Sequence, residues 1–209
     1  SGIDPIPSRG RQVAVSVIEA GQQPDADALA VPVIADQPVP DALGLDLDAL
    51  ARAGFTPKVG SALAFPSATS PVLVAVGAGV AEALTVAKLR LAAAAFARAV
   101  PHDSALAAVV PAVNGVPVAE AAAAIVEGIL LARYEFSLKS TPSVAKPVEG
   151  IVLVAPDGAS DEVREGGARG LATARTGMLG RDLAGCPAGL LTASRIAELA
   201  VRLGAETGL

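Results

Sequence analysis

Two glycines follow a strand-like run in the segment VLVAVGAGVAEALTVAKLRLA, residues 72–92. A strand, then Gly77-x-Gly79, then a helical pattern is the order in which many proteins build a cradle for a phosphate or a dinucleotide. The dinucleotide fingerprint requires a further glycine three positions later, where this chain has Glu82. A carboxylate there would also repel a phosphate from the helix N-terminus. The pattern therefore predicts a sharp turn from a core strand into its covering helix, with a positive φ at one or both glycines.

The other residues that could do chemistry are few. The chain has one histidine, His102, and one cysteine, Cys186, so neither a histidine-cluster metal site nor an internal disulfide can form. We interpret His102 as a loop residue and Cys186 as a small core or loop residue. Carboxylates concentrate where helices are predicted to begin, and there they stabilise the helix dipole. These residues are Asp46, Asp48, Asp157, Asp161, Glu162 and Glu165.

Asp182 follows Arg181 in the segment GRDLAGCP. The pair is either functional or a solvated ion pair near a loop, and the residues leave both readings open. The serines form no Gly-x-Ser-x-Gly nucleophile elbow. From its residues, the chain is assigned no catalytic, cofactor-binding or metal-ligating residue.

The composition restricts the class of protein. A chain of 209 residues with 52% hydrophobic residues can form one α/β domain, or one domain and part of another. Aromatic residues are 2% of the chain, so its core must be built from Ala, Val, Leu and Ile. The net charge of -5 and the scattered basic residues argue against nucleic acid as a partner. With neither a signal-peptide pattern nor a membrane-length apolar run, we expect a cytoplasmic protein without a membrane partner.

The elements that position these residues alternate between strands and helices. Continuous apolar runs at 72–76, 106–113 and 151–155 indicate strands that are buried on both faces. Further patterns predict strands at 13–18, 29–35 and 61–65, and helices at 80–100, 118–134, 161–183 and from 192 or 194 to 204 or 208. This order predicts an α/β fold, a three-layer α/β/α sandwich with a mixed, largely parallel sheet.

Three segments together resemble one family. They are VAVGAGVAEALTVAKLRLAAAAFARAV (74–100), EGILLARYEFSLKS (127–140) and GMLGRDLAGCPAGLLTASRIAELAVRLGAETGL (177–209). They are similar, in the family's order, to segments of the M17 leucyl aminopeptidases, also called cytosol aminopeptidases. Two positions depart from the family pattern. Ala184-Gly185-Cys186-Pro187 replaces a usual Val-Asn-Thr-Pro, and Ala193 stands where a proline commonly follows the threonine.

The resemblance implies a domain organisation and a role. Residues 1–158 would form a macro-domain-like N-terminal domain, 159–183 a connecting helix, and 184–209 the start of a truncated C-terminal catalytic domain. In the family, that domain binds two divalent metals, Zn or Mn, through a lysine and several carboxylates, and an arginine assists. Its signature, of the type Asn-Thr-Asp-Ala-Glu-Gly-Arg-Leu, has no counterpart here. We therefore expect a non-catalytic scaffold and oligomerisation domain of a hexameric aminopeptidase, whose partners are the missing catalytic domain and further copies of the chain.

Two expectations remain open beside this reading. The kinship with macro domains allows a stand-alone module that binds ADP-ribose or a related nucleotide at the strand ends near Gly77 and Gly115. In the last helix, Ile196, Leu199 and Leu203 recur on one apolar face that the family packs against its catalytic domain. We expect this face to contact a neighbouring chain or the helix at 161–183.

Overall fold

The computed structural model describes residues 4–66, 68, 71–137 and 143–208. Its strands are β1 (Ala14–Glu19), β2 (Ala28–Ile34), β3 (Ala62–Ala64), β4 (Val72–Gly79), β5 (Ala105–Val109) and β6 (Gly150–Ala155). Its α-helices are α1 (Leu47–Arg52), α2 (Val86–Ala99), α3 (Val118–Ala132), α4 (Ser160–Gly185) and α5 (Ala193–Thr207). Short 3-10 segments lie at Pro7–Gly10, Asp41–Leu43 and Ala81–Ala83.

The strands form one six-stranded sheet in the order β1-β6-β5-β2-β4-β3. Neighbouring strands pair in parallel except β3, which runs antiparallel to β4 at one edge. The mixed, largely parallel sheet predicted from the sequence is confirmed. The central strands are apolar along their length because both of their faces are covered.

Helices α2, α3 and α4 cover one face of this sheet. Phe96 of α2, Ile129 of α3 and Leu153 of β6 are fully buried in the core between helices and sheet. Small residues dominate the helices themselves, with Ala92–95 of α2 and Ala121–124 of α3 all buried. With so few aromatic residues, the core depends on the close approach of backbones rather than on large side chains.

The opposite face has a thinner cover. There the short helix α1 and its flanking loops bury Leu50 and Phe55 against Val31 and Val33 of β2. Asp46 caps α1, since its Oδ1 accepts a hydrogen bond of 2.7 Å from the Ala49 amide.

Two predicted elements differ in extent from those observed. The helix predicted at 80–100 begins at Val86, where the Thr85 hydroxyl caps it by accepting from the Lys88 amide. Residues Ala81–Ala83 form a separate 3-10 turn before it. The strand predicted at 106–113 ends at Val109, and Pro111 follows, whose missing N–H cannot extend a ladder.

The glycines of α4 close the gap between α3 and α4. A Cβ built on Gly166 would lie 2.1 Å from the Ala119 carbonyl oxygen, and one on Gly170 would lie 2.5 Å from the Ala123 carbonyl oxygen. The helix predicted at 161–183 contains glycines at 166, 167, 170, 177 and 180, and glycine has a poor helix propensity. The helix nevertheless runs for 26 residues. Its buried glycines are contact points for the backbone of α3, and this packing offsets their poor helix propensity.

Candidate functional site: the polar joint at the end of the long helix

The space beside Gly77-x-Gly79, where a phosphate would bind, is occupied by another segment of the same chain. The Gly77 amide donates to the Ser61 carbonyl at 2.9 Å, and the Gly79 amide donates to the Pro57 carbonyl at 2.8 Å. A Cβ on Gly77 would lie 2.1 Å from the Lys58 carbonyl oxygen. Both glycine amides that a phosphate would need are therefore already paired with the segment 57–61.

The predicted turn is confirmed at one of the two glycines. Gly79 has a φ of +81° at the end of β4, a conformation that L-residues adopt only with strain. Gly77 is not a turn residue, because β4 continues through it. It lacks a side chain because the backbone of Lys58 passes against its Cα.

We expect Gly79→Ala to lower the free energy of unfolding by about 1–2 kcal/mol, because a Cβ is strained at positive φ. Gly10→Ala is the matched control, since Gly10 has no positive φ and no heavy atom near its Cβ position. Thermal melts of both variants, with and without ADP-ribose, provide the measurement. An unchanged melting temperature together with loss of ADP-ribose stabilisation would instead assign Gly79 to a ligand site.

A buried carboxylate joins the end of α4 to two other parts of the chain. Asp182 is fully buried. Its Oδ2 accepts from the Ser8 amide at 2.8 Å and from the Ser8 hydroxyl, and its Oδ1 accepts from the Tyr134 hydroxyl at 2.9 Å. We call Ser8, Tyr134 and Asp182 the polar joint. The reading of Asp182 as a solvated ion pair is wrong, because its three hydrogen bonds are what make its burial tolerable.

The polar joint shifts the titration of its tyrosine. Burial and the hydrogen bond to Asp182 raise the pKa of Tyr134 to about 12. The Arg181 guanidinium lies 5.6 Å from the centroid of the Tyr134 ring, and its charge opposes this rise. Arg181 therefore contacts the tyrosine, and Asp182 does not serve as its solvated partner.

Arg133, the residue before Tyr134, ties together the ends of α2 and α3. Its guanidinium donates to the carbonyl oxygens of residues 97, 100, 101, 103 and 146, at 2.6 to 3.1 Å. Burial lowers the pKa of Arg133, and the nearby Asp103 charge partly opposes that shift. No sequence pattern singled out this residue. The sequence feature that could have indicated this role is an arginine at the C-terminus of a predicted helix, where the last backbone carbonyls lack partners within the helix.

The other residues with possible chemistry lie apart from the joint. His102 is exposed in a turn after α2, and Cys186 is buried directly after α4, which confirms both interpretations. Asp161 and Glu162 lie in the first turn of α4, as the dipole argument predicted. Among the described residues, no three His, Cys, Asp or Glu side chains are grouped so that they could hold a metal ion. In the same ranges, no helix is both long and apolar enough to cross a membrane.

Helix α5 follows the joint and presents a mixed surface. The Thr192 hydroxyl caps its start. Of the apolar face predicted for it, Leu199 is buried but Ile196 remains 50% exposed. Glu206, near its end, accepts from Arg9 with an Nη2–Oε2 distance of 2.6 Å. Leu203, the third residue of this face, is half-buried, and contact of the face with a neighbouring chain or with the helix at 161–183 stays a prediction.

Comparisons with known proteins place the chain in a family. The profile of the "Cytosol aminopeptidase family, N-terminal domain" matches residues 36–142. A curated relative, "Probable cytosol aminopeptidase" of Roseiflexus castenholzii (strain DSM 13941 / HLO8), is 47% identical over 85 residues, 39% of this chain and 17% of the relative.

Solved structures of similar fold extend the match to nearly the whole chain. The structure titled "Bottromycin maturation enzyme BotP in complex with Mn" aligns with a TM-score of 0.67 and 29% identity, over 95% of this chain and 37% of that one. Tomato leucine aminopeptidase, as the K354E mutant, aligns with a TM-score of 0.75 and 18% identity, over 94% of this chain and 43% of that one. The chain thus spans less than half the length of these relatives. It belongs to the cytosol aminopeptidase family, M17, through that family's N-terminal domain.

Proposed function

We propose that this chain is the non-catalytic scaffold of a two-metal aminopeptidase that removes N-terminal amino acids from peptides. The family match and the aminopeptidase names of the relatives support this role. In such enzymes a metal activates the attacking water and polarises the peptide carbonyl. The described residues offer no ligand group for those metals, so no step of the reaction is assigned to this chain. Its contribution is to position the domain that performs the reaction.

The polar joint is the observation that carries this proposal. Helix α4 is held along α3 by its glycines and fixed at its end by Asp182, which bonds to Ser8 and Tyr134. Asp182 therefore anchors the last turns of α4, the helix from which the chain continues into α5. We propose that 1–158 is the scaffold domain, 159–183 the connecting helix and 184–209 the start of the catalytic domain. The half-exposed Ile196 on α5 is then a contact point for the rest of that domain.

The wider properties of the parent enzyme follow from the same assignment. We propose two divalent metals, Zn or Mn, in the catalytic domain, and the Mn complex of the related BotP supports this choice. We also propose that the parent is a cytoplasmic homo-oligomer, a hexamer as in the family. The name of the Roseiflexus relative, a probable cytosol aminopeptidase, supports the location.

Hydrogen exchange on the 209-residue chain tests the assignment of α5. If α5 belongs to the catalytic domain, its amides (193–207) should exchange much faster than those of β5 (105–109), because part of its apolar face lies in water. Helix α3, which is buried in the same molecule, provides the internal control and should match β5. Equal protection of α5 and β5 would make α5 an integral part of the scaffold domain and would shift the boundary beyond it.

A further inference from the structure

A basic groove lies beside the polar joint, between the first residues of the chain and α4. It has a volume of about 220 Å³. Arg9, Arg11 and Gln12 line it from one side, and Arg175 and Thr176 of α4 line it from the other. The two sides come from opposite ends of the sequence, which is why their arginines do not form one basic cluster when the chain is read linearly. The fold brings three arginines to one groove in a protein whose net charge is -5.

The arginines of this groove outnumber the carboxylates that contact its lining residues. Arg9 pairs with Glu206, at 2.6 Å between Nη2 and Oε2. Arg11 donates to the Glu135 carbonyl at 3.1 Å, which is a neutral acceptor. Arg175 forms no ion pair within the described ranges. Asp182 accepts from Ser8, which also lines the groove, so three guanidinium groups face two nearby carboxylates and the groove keeps a net positive charge.

The groove also presents more hydrogen-bond donors than acceptors. Arg175 and Arg11 retain guanidinium N–H groups that no protein acceptor uses among the described contacts, and Gln12 is exposed with a side-chain amide. Thr176 already donates its hydroxyl proton to the Ala172 carbonyl at 3.0 Å. Arginine forks bind the oxygens of phosphate and carboxylate groups through paired N–H donors. The groove therefore has the N–H donors needed to bind an anion with several oxygens.

We propose that this groove is a binding site for a small phosphate-type dianion. A phosphate group offers more oxygens to the guanidinium N–H donors of Arg9, Arg11 and Arg175 than a monocarboxylate does. The volume of 220 Å³ is below the roughly 300–1,000 Å³ typical of pockets for drug-sized ligands and suits a single phosphate group. Bound there, the anion bridges the start of the chain and α4, next to the polar joint. The proposal does not depend on the aminopeptidase assignment.

Calorimetric titration of the 209-residue chain with potassium phosphate tests the site, with potassium chloride at equal ionic strength as the reference. We expect saturable binding with one phosphate per chain, and a higher melting temperature in phosphate than in chloride. Acetate, a monoanion, should bind at least about tenfold more weakly than phosphate. Heats that do not saturate, or that equal those of chloride, would overturn the proposal.

Three variants locate the binding. Arg175→Gln should weaken phosphate binding about tenfold, by removal of charge-assisted hydrogen bonds. Arg169→Gln is the matched control, because Arg169 is also exposed on α4 without an ion pair in the described structure but does not line the groove. Glu206→Gln should tighten binding, because it removes the one carboxylate that neutralises Arg9. Equal weakening by the two arginine variants, or no tightening by Glu206→Gln, would contradict the assignment to this groove.

Discussion

Replacing Gly166 with alanine should lower the free energy of unfolding by about 2–4 kcal/mol. The added Cβ would lie 2.1 Å from the Ala119 carbonyl oxygen, a backbone atom of α3 that cannot move without displacing that helix. Alanine is a better helix former than glycine by about 1 kcal/mol. The expected loss of stability is the steric cost of the added Cβ after this gain in helix propensity is subtracted. Because α3 also packs against α2, the displacement affects the whole helical layer. Chemical denaturation of the variant measures the change.

Gly180→Ala is the control for this substitution. Gly180 lies on the same helix with no heavy atom within 4 Å of its Cβ position. Alanine there should be neutral or should stabilise the protein by about 0.5–1 kcal/mol, since only helix propensity changes. A loss of stability in both variants would mean that the glycines of α4 are required for the backbone conformation of that helix rather than for its contact with α3.

Asp182→Asn should lower the free energy of unfolding by about 2–4 kcal/mol. The buried carboxylate accepts from three donors on Ser8 and Tyr134, whereas an amide presents an NH₂ group to some of them. At least one donor then loses its partner inside the protein. Asp161→Asn, an exposed position at the other end of α4, is the control and should change stability by no more than about 0.5 kcal/mol.

The same variant has a spectroscopic signature that does not depend on stability. Tyr134 is the only tyrosine and the chain has no tryptophan, so the absorbance of tyrosinate reports one residue. We expect the pKa of Tyr134 to fall from about 12 toward its ordinary value in Asp182→Asn, because burial then acts without the carboxylate's hydrogen bond. An unchanged pKa would mean that the Tyr134 hydroxyl does not donate to Asp182 in solution.

The raised pKa also sets a pH dependence. A tyrosine whose folded pKa is raised stabilises the fold in its neutral form. That contribution is present in full below the unfolded pKa of about 10. It is lost as the pH rises through about 12, the folded pKa of Tyr134. In the wild-type chain, stability should therefore fall over this interval more steeply than in Tyr134→Phe, which has no hydroxyl to ionise.

Sequence patterns predicted the strands and the parallel sheet because buried strands leave continuous apolar runs that local reading detects. The family resemblance likewise rested on contiguous segments, and the comparisons confirm it. The role of Gly166 could not be predicted, because the Ala119 carbonyl that requires it lies 47 residues earlier in the chain.

Asp182 and the basic groove escaped prediction for the same physical reason. The partners of Asp182 are Ser8 and Tyr134, 174 and 48 residues away, and nothing local distinguishes it from a surface carboxylate. Arg9 and Arg175 meet only after α4 packs beside the start of the chain. Local patterns specify elements, whereas polar contacts between distant elements emerge only from the fold.

Hydrolysis of leucine p-nitroanilide by the purified 209-residue chain, with Mn or Zn added, tests the central claim most directly. A full-length cytosol aminopeptidase assayed in parallel serves as the positive control. We predict no turnover above a blank of buffer and metal, because in the family the lysine, carboxylates and arginine that activate the metal-bound water belong to the catalytic domain. Turnover that exceeds the blank and persists through repurification would contradict the assignment of this chain as a non-catalytic scaffold.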